Sequence, residues 1–132
     1  MDQDRMVTAG RELVAALEGE GLPVEAAIWV YDTDREAWRL WIAPARDVDI
    51  GDFYRDVARA IAGDRRRFLG LDVADTEPVR RDHPVIHGMR AFADVTGEDT
   101  FRLTNNMLGG YYLTDGIAVA LGASAQASAV LP

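Results

Sequence analysis

Two alternating runs separated by five polar residues constrain this chain more than anything else in it. In the first run, Val24, Ala26, Ile28 and Val30 alternate with Glu25, Ala27, Trp29 and Tyr31. The polar stretch Asp32-Thr33-Asp34-Arg35-Glu36 follows, and Ala37-Trp38-Arg39-Leu40-Trp41-Ile42-Ala43 then alternates again up to Pro44. Successive side chains of a strand point to opposite faces, so two such runs flanking a short polar loop predict a β-hairpin. If Asp32 pairs with Glu36 across a three-residue loop, Val30 faces Trp38, Ile28 faces Leu40 and Ala26 faces Ile42 on the core side. The opposite face then carries Tyr31 with Ala37, Trp29 with Arg39, and Ala27 with Trp41.

Around this hairpin the periodicity changes to that of helices. Met6, Ala9, Leu13, Val14 and Leu17 recur at spacings of three and four, which predicts an amphipathic helix over 4–18. Gly19, Gly21 and Pro23 end it. Phe53, Val57 and Ile61 mark a second helix over 49–62, capped by Asp49 or Asp52 and closed by Gly63. Leu69–Val73 reads as a short strand, and Asp75–Arg81 as an exposed connection around Pro78. Pro84 suits the first position of a third helix bearing Val85, Ile86, Met89 and Phe92 and closed by Gly97. Phe101–Leu108 and Tyr111–Leu113 read as strands about the two-residue turn Gly109-Gly110. Asp115-Gly116 is a second tight turn or a bulge in one long strand, and Ile117–Leu121 is the last strand.

The order α-β-β-α-β-α-β-β, with hairpins near both ends, predicts an α+β fold. It is a two-layer sandwich in which helices pack on one face of a mainly antiparallel sheet. The 132 residues are 48% apolar and 27% charged, the makeup of a globular domain and enough for one core. The expected organisation is a single domain over 1–121 followed by a small-residue, low-complexity tail over 122–132. No apolar run approaches the ~18–20 residues of a membrane span, and the acidic opening Met1-Asp2-Gln3-Asp4-Arg5 lacks the character of a secretory signal. A cytoplasmic protein is the expectation.

Absences exclude whole classes of chemistry. The chain has no cysteine, hence no disulfide, thiolate nucleophile or cysteine metal site. All 14 basic residues are arginine, so Schiff-base chemistry and a P-loop lysine are excluded. This arginine-, alanine- and aspartate-rich composition is what a GC-rich bacterial genome encodes. Both serines, Ser124 and Ser128, lie in the tail, away from any packed site. The net charge of −8 opposes nucleic-acid binding. Arg65-Arg66-Arg67 and Arg80-Arg81 are short exceptions, read as solvated loop charge.

Several clusters are candidate sites. His83 and His87, four apart near a helix start, could share a metal, but no third ligand is fixed by spacing and Pro84 puts His83 at the helix boundary. Asp72, Asp75 and Glu77, followed by Arg80 and Arg81, read as a solvated acidic loop. Asn105 and Asn106 sit in a predicted strand that disfavours asparagine, with Tyr111 and Tyr112 just across the turn, which makes the four a candidate ligand-binding set. The two glycines between them follow no strand-to-helix switch and form no dinucleotide loop. The leading candidate is the second face of the first hairpin, where Trp29, Tyr31, Arg39 and Trp41 would form an aromatic surface to be covered by another layer of the same chain, by a second copy, or by a partner or ligand; in the latter cases it is a partner-binding surface.

The stretch from Ala27-Ile28-Trp29 through Trp38-Arg39-Leu40, with Asn106–Gly110 and Leu113–Ala118, resembles small hypothetical bacterial proteins that share a helix-hairpin-helix beginning. The shared motifs are structural, so the resemblance implies a bacterial cytosolic origin and assigns no functional residue. The expected function is a non-enzymatic interaction module, binding a protein partner or a second copy of itself without a cofactor, a catalytic residue or a membrane. The alternative is a small ligand-binding domain or enzyme using Asp, Arg and His side chains.

Overall fold

The polar loop of the first hairpin is closed by its own aspartate. One carboxylate oxygen of Asp32 accepts the backbone N–H groups of Asp34 (2.9 Å) and Arg35 (3.2 Å), an Asx-type turn. Glu36 completes the loop in the left-handed region at φ 51°. In the computed structural model, which describes residues 2–93, 95 and 99–122, this loop joins β1 (Val24–Asp32) to β2 (Ala37–Pro44). Asp32 pairs with Ala37, not Glu36, so the loop holds four residues, Thr33–Glu36.

That one extra loop residue reverses the expected faces, because a slip of one position moves every side chain on a strand to the other side. Tyr31 now opposes Trp38, Trp29 opposes Leu40, Val30 opposes Arg39 and Ile28 opposes Trp41. Trp29, Leu40, Ile42 and Ala27 belong to one core cluster, whereas Ile28, Val30, Trp41 and Ala43 belong to another. The expected outer face combining Trp29, Arg39 and Trp41 is therefore not formed. Trp29 is 2% exposed and Trp41 5% exposed, on opposite sides of the sheet.

The element order matches the expectation and the fold is α+β. Helix α1 (Gln3–Gly19) precedes the hairpin, and α2 (Ile50–Gly63), β3 (Thr76–Pro78), α3 (Pro84–Arg90), β4 (Phe101–Leu108) and β5 (Tyr111–Leu121) follow. The five strands form one sheet in the order β3-β2-β1-β5-β4. All neighbours are antiparallel except β3, which runs parallel to β2. The third strand falls later than expected. Leu69 and Gly70 both have positive φ, 56° and 90°, which breaks extended structure across 69–73. The residues that pair are Thr76–Pro78, inside the segment read as a loose connection.

Helices α1 and α2 cover one face through Met6, Leu13, Leu17, Phe53, Val57 and Ile61. The other face, expected to be bare of helices, is partly covered by the seven-residue α3 through Val85, Ile86 and Met89. Glu25, on β1, is drawn into an ion pair with Arg90 of α3 at 2.7 Å, which fastens that helix to the sheet. Gly109 and Gly110 turn β4 into β5 with φ of 56° and 83°, the two positive values that a type I′ hairpin needs. At Gly109 a Cβ would lie 2.7 Å from Pro84 Cβ, so the turn rests directly on the start of α3. Asp115-Gly116 is no turn; it lies within the eleven residues of β5. Gly97 and 123–132 of the expected tail lie outside the described residues. Gly122, the first tail residue, donates its N–H to the Glu25 carbonyl at 2.8 Å.

Trp29 anchors α1. Its indole Nε1–H donates to the Met6 carbonyl at 2.7 Å inside the core. Gly10 permits this approach, since a Cβ there would stand 3.1 Å from the same indole nitrogen and from Val119. Trp29→Phe removes a buried donor and leaves a gap, so it should cost about 2–3 kcal/mol. Urea unfolding followed through the remaining tryptophans checks this, with an unchanged midpoint as the contrary result.

Candidate functional site

The register reversal assembles a groove on the α3 side of the sheet. Arg39 and Trp41 of β2 project into it beside Val30 of β1. Glu77 of β3 sits level with Trp41, because the parallel pairing sets those two residues side by side. Tyr111, Tyr112 and Leu113 at the start of β5 form the opposing wall, and Asp32, Thr33 and Asp34 of the hairpin loop close one end. The enclosed space is about 250 Å³.

An aromatic cluster braces the wall. The Trp41 ring meets those of His83 and Tyr111 edge-on at centroid distances of 4.8 and 5.5 Å. His83 and Tyr111 are 5.7 Å apart. Edge-to-face packing of this kind suits rings with electron-rich faces and positive edges. A hydrogen bond to the backbone fixes His83 in place. Its Nδ1 accepts the Val85 N–H at 3.1 Å and so caps α3.

The electrostatics of the groove are lopsided. Arg39 directs one Nη2–H to the Thr76 carbonyl at 3.2 Å. Its buried Nε–H finds no hydrogen-bond partner among the described residues. Asp32 is committed to the loop and to Arg35. The salt bridges among the described residues recruit neither Asp34 nor Glu77. Burial raises the Tyr111 phenol above its ordinary pKa, and Glu77, Asp32 and Asp34 raise it further. Burial lowers the His83 imidazole, opposed by Glu77 and Asp82.

The structure thus joins parts of two sets that are separate in the sequence. Arg39 and Trp41 come from the expected partner face, and Tyr111 and Tyr112 from the asparagine–tyrosine set. Trp29 does not reach the groove; it lies under α1. Tyr31 contacts it but turns its ring to Trp38, 5.5 Å away. Asn105 stands outside, at φ 48°, and its side-chain oxygen accepts the Tyr112 hydroxyl at 3.1 Å. Asn106 pairs with Leu113 and is not part of the lining. The sequence reading does not place Asp34 or Glu77 beside the groove's aromatic rings; it groups Glu77 with Asp72 and Asp75 as a solvated acidic loop. The signal for Glu77 is a carboxylate beside Pro78, hidden until the parallel pairing with Trp41 is known.

The remaining candidates find ordinary roles. His87 is exposed on α3. No group of three or more His, Asp or Glu among the described residues could hold a metal ion. Asp72 and Asp75 cap the turn Val73–Asp75 in a reciprocal box. Arg67 pairs with Glu12 at 2.7 Å. Arg81 bonds the Ala45 carbonyl at 2.8 Å and Asp47 at 3.5 Å. No helix among the described residues is long and apolar enough to cross a membrane. No family model, curated protein or solved structure matches the chain.

A lowered pKa in the folded state has a definite sign. The unfolded chain binds the His83 proton first, so this stability is present above the unfolded imidazole value near ~6.5 and is lost as pH falls below it. Protonation at Nδ1 also removes the acceptor that caps α3. Unfolding midpoints should therefore drop as pH falls through and below about 6.5. In His83→Asn, which keeps a capping oxygen, the slope in that window should flatten, while His87→Gln should leave it unchanged. Equal slopes in the parent protein and His83→Asn would contradict the assignment.

Proposed function

We propose that this chain is a cytoplasmic small-molecule-binding domain whose site is the groove between Trp41, Glu77, the Asp32–Asp34 loop and the Tyr111-Tyr112 wall. The observation that carries the reading is convergence: four separate chain segments bring aromatic rings, one arginine and several carboxylates to a single concavity. Ligand sites characteristically combine apolar walls with a few directed polar groups. A thermal-shift screen of amines, carboxylates, sugars and nucleotides tests the proposal. A true ligand at one hundred times its dissociation constant should add about 2.7 kcal/mol of stability. Tyr112→Ala removes an exposed wall residue, so it should abolish that response and leave the unliganded midpoint nearly unchanged. A response of equal size in the variant would place the site elsewhere, and no response from any class would count against binding.

A second reading, association with a protein partner or a second copy, has its own observation. Phe92 and Met107 are each 60% exposed, and β4 is an edge strand of the sheet. Large exposed apolar side chains beside an open edge favour contact with another chain. Light scattering on a sizing column should then give a mass that rises with concentration and returns to that of a monomer in Met107→Asp. A monomer at every concentration, with no partner captured, would remove this reading.

A further inference from the structure

We infer that the groove selects an organic ammonium, held between the carboxylates of Asp34 and Glu77 and the rings of Tyr111, Tyr112 and Trp41. The inference rests on the ligand-binding reading above and adds the charge and shape of the ligand.

Charge comes first. The lining carries Asp32, Asp34 and Glu77 against Arg39 alone. Arg39 is drawn toward the Thr76 carbonyl, while Glu77, Asp32 and Asp34 all raise the Tyr111 phenol. Asp32 is paired with Arg35, so the excess negative charge at the tyrosine end rests on Asp34 and Glu77. The acids arrive from two elements, the hairpin loop and β3. They do not close into a set that could hold a metal ion. Carboxylates that are spread apart suit a cation whose charge sits on an organic frame and whose N–H groups reach more than one oxygen. The exposed rings of Tyr111 and Tyr112 fit the same chemistry, because ring faces attract ammonium groups. Size bounds the frame: a space of about 250 Å³ lies at the low end of the ~300–1,000 Å³ of ligand pockets, so the ligand is small.

Three probes of one shape and different charge separate the possibilities: phenylethylammonium, phenylethanol and phenylpropanoate. Titration calorimetry with the full chain, supported by amide and aromatic NMR shifts, should show the ammonium binding at least about tenfold tighter than the alcohol. The carboxylate should be weaker still, and the advantage of the ammonium should shrink as salt is raised. Glu77→Gln and Asp34→Asn should each remove most of that advantage and leave the weak binding of the alcohol untouched. Both positions have access to solvent, and NMR spectra of each variant report whether the fold is intact. Tighter binding of the carboxylate, or equal binding of alcohol and ammonium, would overturn the charge assignment while leaving a ligand site in place. Preference for a lysine-bearing peptide over the free amine would overturn the small-molecule source. If no probe moved the Tyr111, Tyr112 or Trp41 resonances at millimolar concentration, the inference and the ligand-binding reading would fall together.

Discussion

Much of this molecule depends on how the Asp32 carboxylate closes the first hairpin. By accepting the Asp34 and Arg35 N–H groups it supports a four-residue loop and pairs its own residue with Ala37. The pairing sorts the three tryptophans. Trp29 and Trp38 go to the side of α1 and α2, and Trp41 goes to the side of α3. A loop one residue shorter would turn Arg39 toward the large helical core, where a guanidinium lacks partners. It would also take Trp41 away from His83 and Tyr111. One short-range hydrogen-bonding preference thus selects between two globally different sheets, and the burial of both faces fixes the choice.

The two faces then solve different problems. On the first, two long helices cover the sheet, and the contact is tight enough that Gly10 is needed beneath the Trp29 indole. On the second, α3 has seven residues and is too short to span the sheet. It is held at one end by the Arg90–Glu25 pair and at the other by the Gly109 turn lying on Pro84. The glycine turn brings the Tyr111 wall across to Trp41. The area that α3 leaves uncovered, between that wall and the hairpin loop, is the groove. The concavity follows from a short helix on a wide sheet.

The legible part of this design is the part written in local pattern. Period-two and helical spacings locate the hairpin, α1, α2 and the last two strands, and Gly109-Gly110 announces its turn. What stays hidden depends on one hydrogen bond or on distant pairing. Composition around Asp32 does not distinguish a three-residue from a four-residue loop, yet that count decides which face every side chain occupies. The strand β3 has three residues, including Pro78, too few to show a period. It exists because β2 offers it an open edge, and a parallel edge strand leaves no local mark. The candidate site inherits both difficulties. Arg39, Trp41, Tyr111 and Tyr112 stand out for their chemistry, but their shared location follows from the register, and Glu77 joins them only through the β2–β3 pairing.

Some departures from local rules lie at or beside the groove, and others lie elsewhere, as at Leu69 with φ 56°. Asn105 adopts a left-handed conformation and binds the Tyr112 hydroxyl. Arg39 keeps a buried N–H without a partner among the described residues, and Asp34 and Glu77 hold charge that no arginine in the described salt bridges neutralises. Elsewhere some acids are partnered, as with Glu12 and Arg67, Asp47 and Arg81, or Asp115, which takes two bonds from Arg102. Sequences that fold well tend to be consistent at every level, and local inconsistency gathers where a surface serves something other than stability. What sets the groove apart is company: its unpaired carboxylates share one concavity with Tyr111 and Tyr112, and the ligand-binding proposal rests on that combination.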